Sequence, residues 1–422
     1  MSMSRKASFL LIILCLVAAL GGCAQNAERE DAGSDAAVAI THIRQLVAAD
    51  NKTARTIMWE GKVKQPYTLE YRKQGSRDSR SVQAADSSFT DKDSVIQYTA
   101  RLDSLAPGST YEYRINTAKN KGQWHKLHTE AGAGFTALIF PDSQSADYSG
   151  WQQLARAAYQ RHPNSAFYVN MGDLVDNGQD ASQWRAWFNS VSVFSDALPL
   201  APVIGNHEAY SLEWKECLPA SYTQLFNVPQ NGLAKYPNQF YSFDYGPVHF
   251  VVLDTNFPEM KNIQPDLLAD ELLWLEKDLA ASRAKWKVVL MHRDIFLYGF
   301  GPESGREQTQ THFLDFSYQL LPVFEKYKVD AVLTAHLHTY RRRVPLQNFA
   351  PAPQGAGITY ILTGVAGDVR YPKLWGDFAW DAATAPKPET ANYLTLRANE
   401  QSLEFKAFLP DGRQFDEVKL TK

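Results

Sequence analysis

The sequence predicts an α/β (α+β) domain of two packed mixed sheets flanked by helices, preceded by an all-β sandwich. Three observations carry this. Residues 40–129 read as strands between turn clusters, and from Gly134 onward strand-like runs alternate with helix-period stretches. Five short polar blocks each follow an apolar run that reads as a buried strand. At 422 residues the chain is too long for one ordinary domain and suits two, each with ample core.

At the N-terminus, Ser4-Arg5-Lys6 precedes an apolar stretch from Phe9 to Leu20 that is too short to span a bilayer comfortably. It ends at Leu20-Gly21-Gly22-Cys23, which resembles the lipobox of bacterial lipoproteins. Residues 1–22 are therefore expected to be a lipoprotein signal peptide, and Cys23 the lipid-modified end. The alternative is an ordinary secretory signal with an incidental cysteine. Cysteine usage favours acylation: Cys15 leaves with the signal and Cys217 has no evident mate. Ala24, rather than Asp, after the cysteine resembles the pattern that sorts such proteins to the outer membrane. The expected location is thus the cell envelope, at the outer membrane or periplasmic face. Residues 23–38, rich in Ala, Asp, Glu and Asn, read as a flexible tether. Removing residues 1–22 takes away Arg5 and Lys6, so the formal charge of −3 becomes −5. No strongly basic patch is in view, and duplex nucleic acid is not an expected partner.

From 39 to 130, the runs 56–59, 67–72, 98–102 and 111–115 have strand character. Leu105-Ala106-Pro107-Gly108-Ser109-Thr110-Tyr111 resembles the tyrosine corner of a fibronectin-type sandwich, which implies a Tyr111 hydroxyl bonded back to nearby backbone. Trp59 and Tyr71 read as core, the alternative being an aromatic binding face.

From 134 to 422, residues 151–161, 182–194, 267–283 and 310–327 carry helix-period apolar positions. Residues 358–362, 393–396, 403–408 and 417–420 read as strands closing a second sheet.

The polar blocks are Pro141-Asp142-Ser143-Gln144, Gly172-Asp173, Gly205-Asn206-His207-Glu208, Met291-His292 and Ala335-His336-Leu337-His338. Their carboxylates, amide and imidazoles form a ligand set for hard-to-borderline metal ions. Each follows an apolar run, and ligands collect outside the carboxyl ends of such strands, so five strand ends can converge on one crevice. A two-metal site would commit the chain to in-line displacement, most often at phosphorus.

This order of blocks resembles the calcineurin-like metallophosphoesterase pattern, and more closely its purple acid phosphatase branch. The stretch from Tyr241 to Thr255 is similar to that branch's central hairpin, and Trp274 to Leu279 to the helix that follows. Residues 39–130 resemble the branch's N-terminal domain. Carried over by motif, the resemblance implies a first metal held by Asp142, Asp173 and His338. It implies a second held by Asp173, Asn206, His292 and His336, with Asp173 as the bridge. His336 and His338, taken as extended, would point the same way. His207 is the expected group to stabilise or protonate the leaving oxygen, with Glu208 orienting it.

Two departures concern the first metal. The purple enzymes carry a Tyr three residues after the bridging Asp, where this chain has Asp176, expected to be a turn or supporting carboxylate. Other members use Asp-x-His in the first block, where this chain has Gln144. Gln144 or a water could complete the first metal, and Mn, Zn or Fe are all plausible ions. A colourless enzyme is expected. Ala335 replaces the usual Gly before His-x-His, which is tolerable if φ stays negative. Arg341 and Arg343 read as solvent-facing, and the loop 299–305 with Arg293 and Arg306 as a candidate specificity element. His249, inside an apolar strand, reads as structural.

The resemblance implies a hydrolase of phosphate esters acting through a metal-bound hydroxide, with a phosphomonoesterase as the leading reading. The alternatives are a phosphodiesterase on the same site and a surface binding protein without turnover.

Overall fold

The computed structural model describes residues 40–90, 95–132, 134–353 and 355–422. The signal peptide, the tether and Cys23 lie outside the described residues. No helix among the described residues is long and apolar enough to cross a membrane.

Two-residue periodicity decides which core each strand side chain enters. In Trp286–Met291, Val288 and Leu290 join one core while Val289 and Met291 join another. Val248–Leu253 does the same, sending Phe250 and Val252 one way and Val251 and Leu253 the other. Such strands are buried on both faces, which requires layers on either side.

The inner core lies between two sheets, where Phe135 and Phe167 from one meet Phe250 of the other at ring-centroid distances of 6.2 and 5.5 Å. In the seven-stranded sheet, Val248–Leu253, Trp286–Met291, Ala331–Thr334 and Thr359–Thr363 run parallel as neighbours. Antiparallel strands flank them, so the sheet is mixed. Helices Leu267–Ala281 and Ser317–Lys326 cover its outer face through Leu275, Leu279, Leu320 and Phe324. Helices Ser149–Arg161 and Ala181–Val191 cover the other sheet. Trp151, Leu154, Ala155 and Ala158 form the buried stripe of the first, spaced three and four apart. Asp180 caps the second by accepting the Ser182 N–H at 2.8 Å.

Two sequence expectations need correction. The stretch 310–327 is helical only over Ser317–Lys326, and its start, His312–Phe313, pairs as a strand with Phe296–Leu297. Of the four C-terminal runs expected to close the second sheet, one, Thr359–Thr363, enters the seven-stranded sheet, where Asp381–Thr384 joins it from further along the chain. Tyr393–Ala398, Ser402–Phe408 and Gln414–Thr421 extend the first sheet instead, by antiparallel pairing onto Phe135–Phe140. The free edge of Phe135–Phe140 supplies the unpaired N–H and C=O groups that receive them.

The N-terminal strands form a sandwich around Trp59, Tyr67, Tyr98 and Tyr113. Trp59 is fully buried and Tyr71 nearly so, as core residues should be. The Tyr111 hydroxyl accepts the Ala106 N–H at 2.8 Å. One sandwich sheet is continuous with the ten-stranded sheet, because Ile40–Leu46 pairs with Leu200–Pro202 in parallel at Leu46 and Leu200. Buried Arg44 adds to this junction, donating to the Leu225 carbonyl at 2.7 and 3.0 Å.

His249 gives the fold a pH dependence. Its Nδ1 lies 2.7 Å from Asp244 Oδ1 and its Nε2 2.8 Å from Asp278 Oδ2, so both nitrogens donate and the ring is an imidazolium. Burial pulls its pKa down, but the two carboxylates outweigh it and raise the value from 6.5 to about 9. A raised pKa stabilises fully below the unfolded value, and the contribution is lost as pH rises through the folded one. With Asp244 largely exposed and screened, we expect about 2 kcal/mol at stake. The stability gap between wild type and His249→Gln, read by urea unfolding, should shrink by that amount from pH 6 to pH 9.5.

Candidate metal centre

The first three blocks leave adjacent parallel strands of the ten-stranded sheet: Phe135–Phe140, Tyr168–Asn170 and Leu200–Pro202. The last two leave adjacent parallel strands of the other sheet, Trp286–Met291 and Ala331–Thr334. All five thus emerge at carboxyl ends and meet between the sheets.

Close approach there depends on two glycines. A Cβ on Gly172, whose φ is 97°, would fall 2.4 Å from His292 Nδ1. One on Gly205 would fall 2.2 Å from Asp173 Oδ1. Asp173 itself takes φ 45°, a left-handed conformation that Asp tolerates better than most residues.

Two donor groups result, sharing one carboxylate. Asp142, Asp173 and His338 form one, and Asp173, His292 and His336 the other, with ligand atoms within 4.8 Å of one another in each. Asn206 joins the second, its Oδ1 lying 3.1 Å from His292 Nε2. Backbone carbonyls fix the imidazoles: His292 Nδ1 donates to Met171 at 2.9 Å and His338 Nδ1 to Val369 at 2.7 Å. Each Nε2 therefore faces the centre.

The electrostatics suit cations. Burial pushes Asp142 up to about 7, with His292 opposing and Asp173 adding to the rise. Burial acts on Asp173 too, but His292 and His207 outweigh it and hold that carboxyl below its ordinary range. Burial lowers His338 to about 4 and His336 well below its ordinary value, leaving both neutral, with Nε2 lone pairs faced by Gln144 Nε2 at 3.3 Å and Arg293 Nη1 at 3.0 Å. For His292 burial is outweighed by Asp173, which raises it to about 9. Its Nε2 points at Asp173 Oδ2 and Asn206 Oδ1, both 3.1 Å away. Oxygens so placed demand positive charge between them and the ring, supplied here by a proton and equally well by a metal ion. Gln144 Oε1 is buried beside His338 with no hydrogen-bond partner, an acceptor left for a cation.

His207 lies at the edge of this centre. Its N–H donates to Asp173 Oδ1 at 2.9 Å and its Nδ1 to the Asp176 carbonyl at 2.5 Å, while its Nε2 makes no hydrogen bond and lies 3.9 Å from Asp173 Oδ2. Burial lowers its pKa, but Asp173 and the Asp176 carbonyl raise it further, for a net rise.

The sequence profile of the calcineurin-like phosphoesterases matches residues 127–340, about half the chain. The chain belongs to the calcineurin-like phosphoesterase family. A second profile, the N-terminal domain of purple acid phosphatases, matches residues 40–129. The chain is 28% identical over 209 residues to purple acid phosphatase 23 of Arabidopsis thaliana, covering 47% of this chain and 40% of that one. It is 26% identical over 292 residues to an acid phosphatase of Aspergillus ficuum, covering 49% and 45%. It therefore spans less than half the length of either relative. Acid phosphatase type 7 of Mus musculus is 25% identical over 313 residues, covering 65% and 66%. In fold, the chain matches a purple acid phosphatase from yellow lupin (Lupinus luteus) seeds with a TM-score of 0.74, at 17% identity over 91% of this chain and 74% of that one. PhoD matches with a TM-score of 0.61, at 14% identity over 90% and 88%.

Within this phosphoesterase fold, three sequence expectations are corrected. Glu208 does not orient His207. It is fully buried, and its carboxylate accepts the N–H groups of Gly205, Asp173 and Leu174 at 2.8, 3.0 and 2.9 Å. The His-x-His segment is not extended: His336 and His338 have φ of 76° and 50° and sit in a bend, while Ala335 keeps a negative φ. Both rings reach the centre because the bend folds onto Asp142, whose oxygens accept the His336 N–H at 3.0 and 3.1 Å. Arg341 and Arg343 are buried, not solvent-facing, because Glu389, Asp294 and Asp381 come from distant segments to pair with them.

Sequence reasoning undervalued Asp176, whose carbonyl holds His207. It left Arg293 as a loop neighbour, yet Arg293 Nη1 lies 3.0 Å from His336 Nε2 while its Nη2 pairs with Glu259. It missed Tyr371, stacked on His338 at 5.1 Å. Adjacency to a ligand flagged only Arg293. Tyr371 lies far along the chain and carries no motif.

Proposed function

We propose that the chain is a dinuclear-metal hydrolase of phosphate esters, a phosphomonoesterase by preference. The observation that carries this reading is the pair of donor groups joined through Asp173. Family membership and the names of its relatives agree with it. The residues fit Mn, Zn or Fe: oxygen and imidazole donors only, with neutral His336 and His338. Asp142, Asp173, His338 and Gln144 would hold one ion, and Asp173, Asn206, His292 and His336 the other. Such a pair supplies an activated water and fixes the oxygens of an in-line displacement at phosphorus.

The remaining steps belong to the chain. His207, anchored through Nδ1 to Asp176, presents Nε2 to the leaving oxygen and gives it a proton as the P–O bond breaks. Gly172 and Gly205 let the backbones close around the centre, and Glu208 locks the two loops that carry Asp173 and Asn206.

Metal-replete protein should bind two ions per chain and hydrolyse aryl monoesters faster than the matching diesters. His207→Ala should lower kcat about 10²–10³-fold, more for poor leaving groups than for good ones. A metal-replete wild type inert toward both ester classes would rule the hydrolase out.

We read Cys23 as the acylated N-terminus of an envelope-anchored protein, on the strength of the Leu20-Gly21-Gly22-Cys23 sequence alone. Detergent-phase partitioning that Cys23→Ser abolishes would support this.

A further inference from the structure

Beside His207 stands a tryptophan that the fold does not need for its core. Trp214 is 53% exposed, yet its ring centroid lies 5.7 Å from that of His207, edge to face at 86°. Tyr210 completes a triangle, 6.2 Å from His207 and 6.1 Å from Trp214. The loop presenting the indole is well braced. Tyr210 and Glu216 form an antiparallel bridge, and Ser211 receives the Trp214 N–H at 2.9 Å and donates to Lys215 at 2.8 Å. Asn177 ties the loop down from below, donating to the Ser211 carbonyl at 2.8 Å. Trp214 adopts φ 58°, a left-handed conformation that is unfavourable for a bulky side chain. A braced loop that holds a strained, exposed indole against a histidine of the centre has given up burial it could otherwise gain.

We propose that Trp214, backed by Tyr210, is the leaving-group platform of this centre, selecting phosphate esters whose leaving group is a planar aromatic ring. The assignment rests on the hydrolase reading above. His207 must reach the leaving oxygen, so the group attached to that oxygen passes along whatever flanks His207. An aryl or nucleobase ring stacks there, while a small alkyl group leaves the indole wet. Stacking of this kind discriminates about five- to tenfold.

The test is equilibrium binding of phenylphosphonate and methylphosphonate to the metal-loaded protein by calorimetry, with kcat/KM for phenyl phosphate over glycerol phosphate measured beside it. Trp214→Ala should reduce the phenyl-to-methyl affinity ratio about fivefold and shift the kinetic ratio in step, and Trp214→Phe should restore most of both. Since the side chain is exposed, the unfolding midpoint should not move. If wild type binds both phosphonates and the ratio stays the same in Trp214→Ala, the platform is wrong and the hydrolase reading stands. If wild type binds neither and hydrolyses no ester, both fall together.

Discussion

Replacing Asp173 with asparagine is expected to abolish turnover while leaving the protein folded. Both donor groups contain this residue, so its charge is shared by two cation positions less than 5 Å across. Asparagine keeps the size and tolerates the left-handed φ of 45° nearly as well as aspartate. Its amide oxygen can still accept the His207 N–H that Asp173 Oδ1 takes at 2.9 Å. What it loses is the negative charge, and with it one of two anionic ligands offsetting the repulsion between neighbouring cations. Metal content by mass spectrometry should fall from two ions per chain to one or none. The value of kcat/KM should drop by at least about 10³-fold, or ~4 kcal/mol of transition-state stabilisation. The unfolding midpoint of the metal-free protein should stay near that of wild type. Two retained ions and near-normal rates in Asp173→Asn would show that the bridge lies elsewhere.

What the sequence disclosed is local. Apolar runs such as Ala137-Leu138-Ile139-Phe140 and Val288-Val289-Leu290 announce strands, because a strand buried on both faces needs no polar alternation. A polar block at the end of each such run announces a crevice, since loop groups there have left the apolar layer. All six expected ligands meet in the structure for that reason. Partners chosen across long distances stayed hidden. Nothing near Arg341 or Arg343 signals burial, because Glu389, Asp294 and Asp381 lie tens of residues away. The C-terminal strands have the right period for either sheet, and only the open edge of Phe135–Phe140 decides between them. The bend at His336 and His338 was hidden too, since two histidines around a leucine fit an extended chain equally well.

Glu208 should be the costliest residue of the centre to remove from the fold, although it contacts no substrate. Its two oxygens accept three backbone N–H groups at 2.8–3.0 Å, from Gly205 on one loop and Asp173 and Leu174 on the next. All of these donors are buried, and an unpaired buried donor costs about 1–3 kcal/mol. Glu208→Ala strands them together and opens a cavity, so we expect a loss of about 4 kcal/mol. Glu208→Gln restores one acceptor but turns an NH₂ toward the remaining donors, for about 2–3 kcal/mol. Urea unfolding should be read on metal-free protein, because ions that bind only the folded chain would mask the difference. The contrast with His207→Ala separates the roles. That variant should lose turnover at nearly wild-type stability, whereas Glu208→Ala should lose stability first and metal with it, as the loops bearing Asp173 and Asn206 drift apart. If Glu208→Ala unfolds within about 1 kcal/mol of wild type and still binds two ions, the carboxylate is no brace. A loss confined to esters with poor leaving groups would then return it to the role the sequence implied, orienting His207.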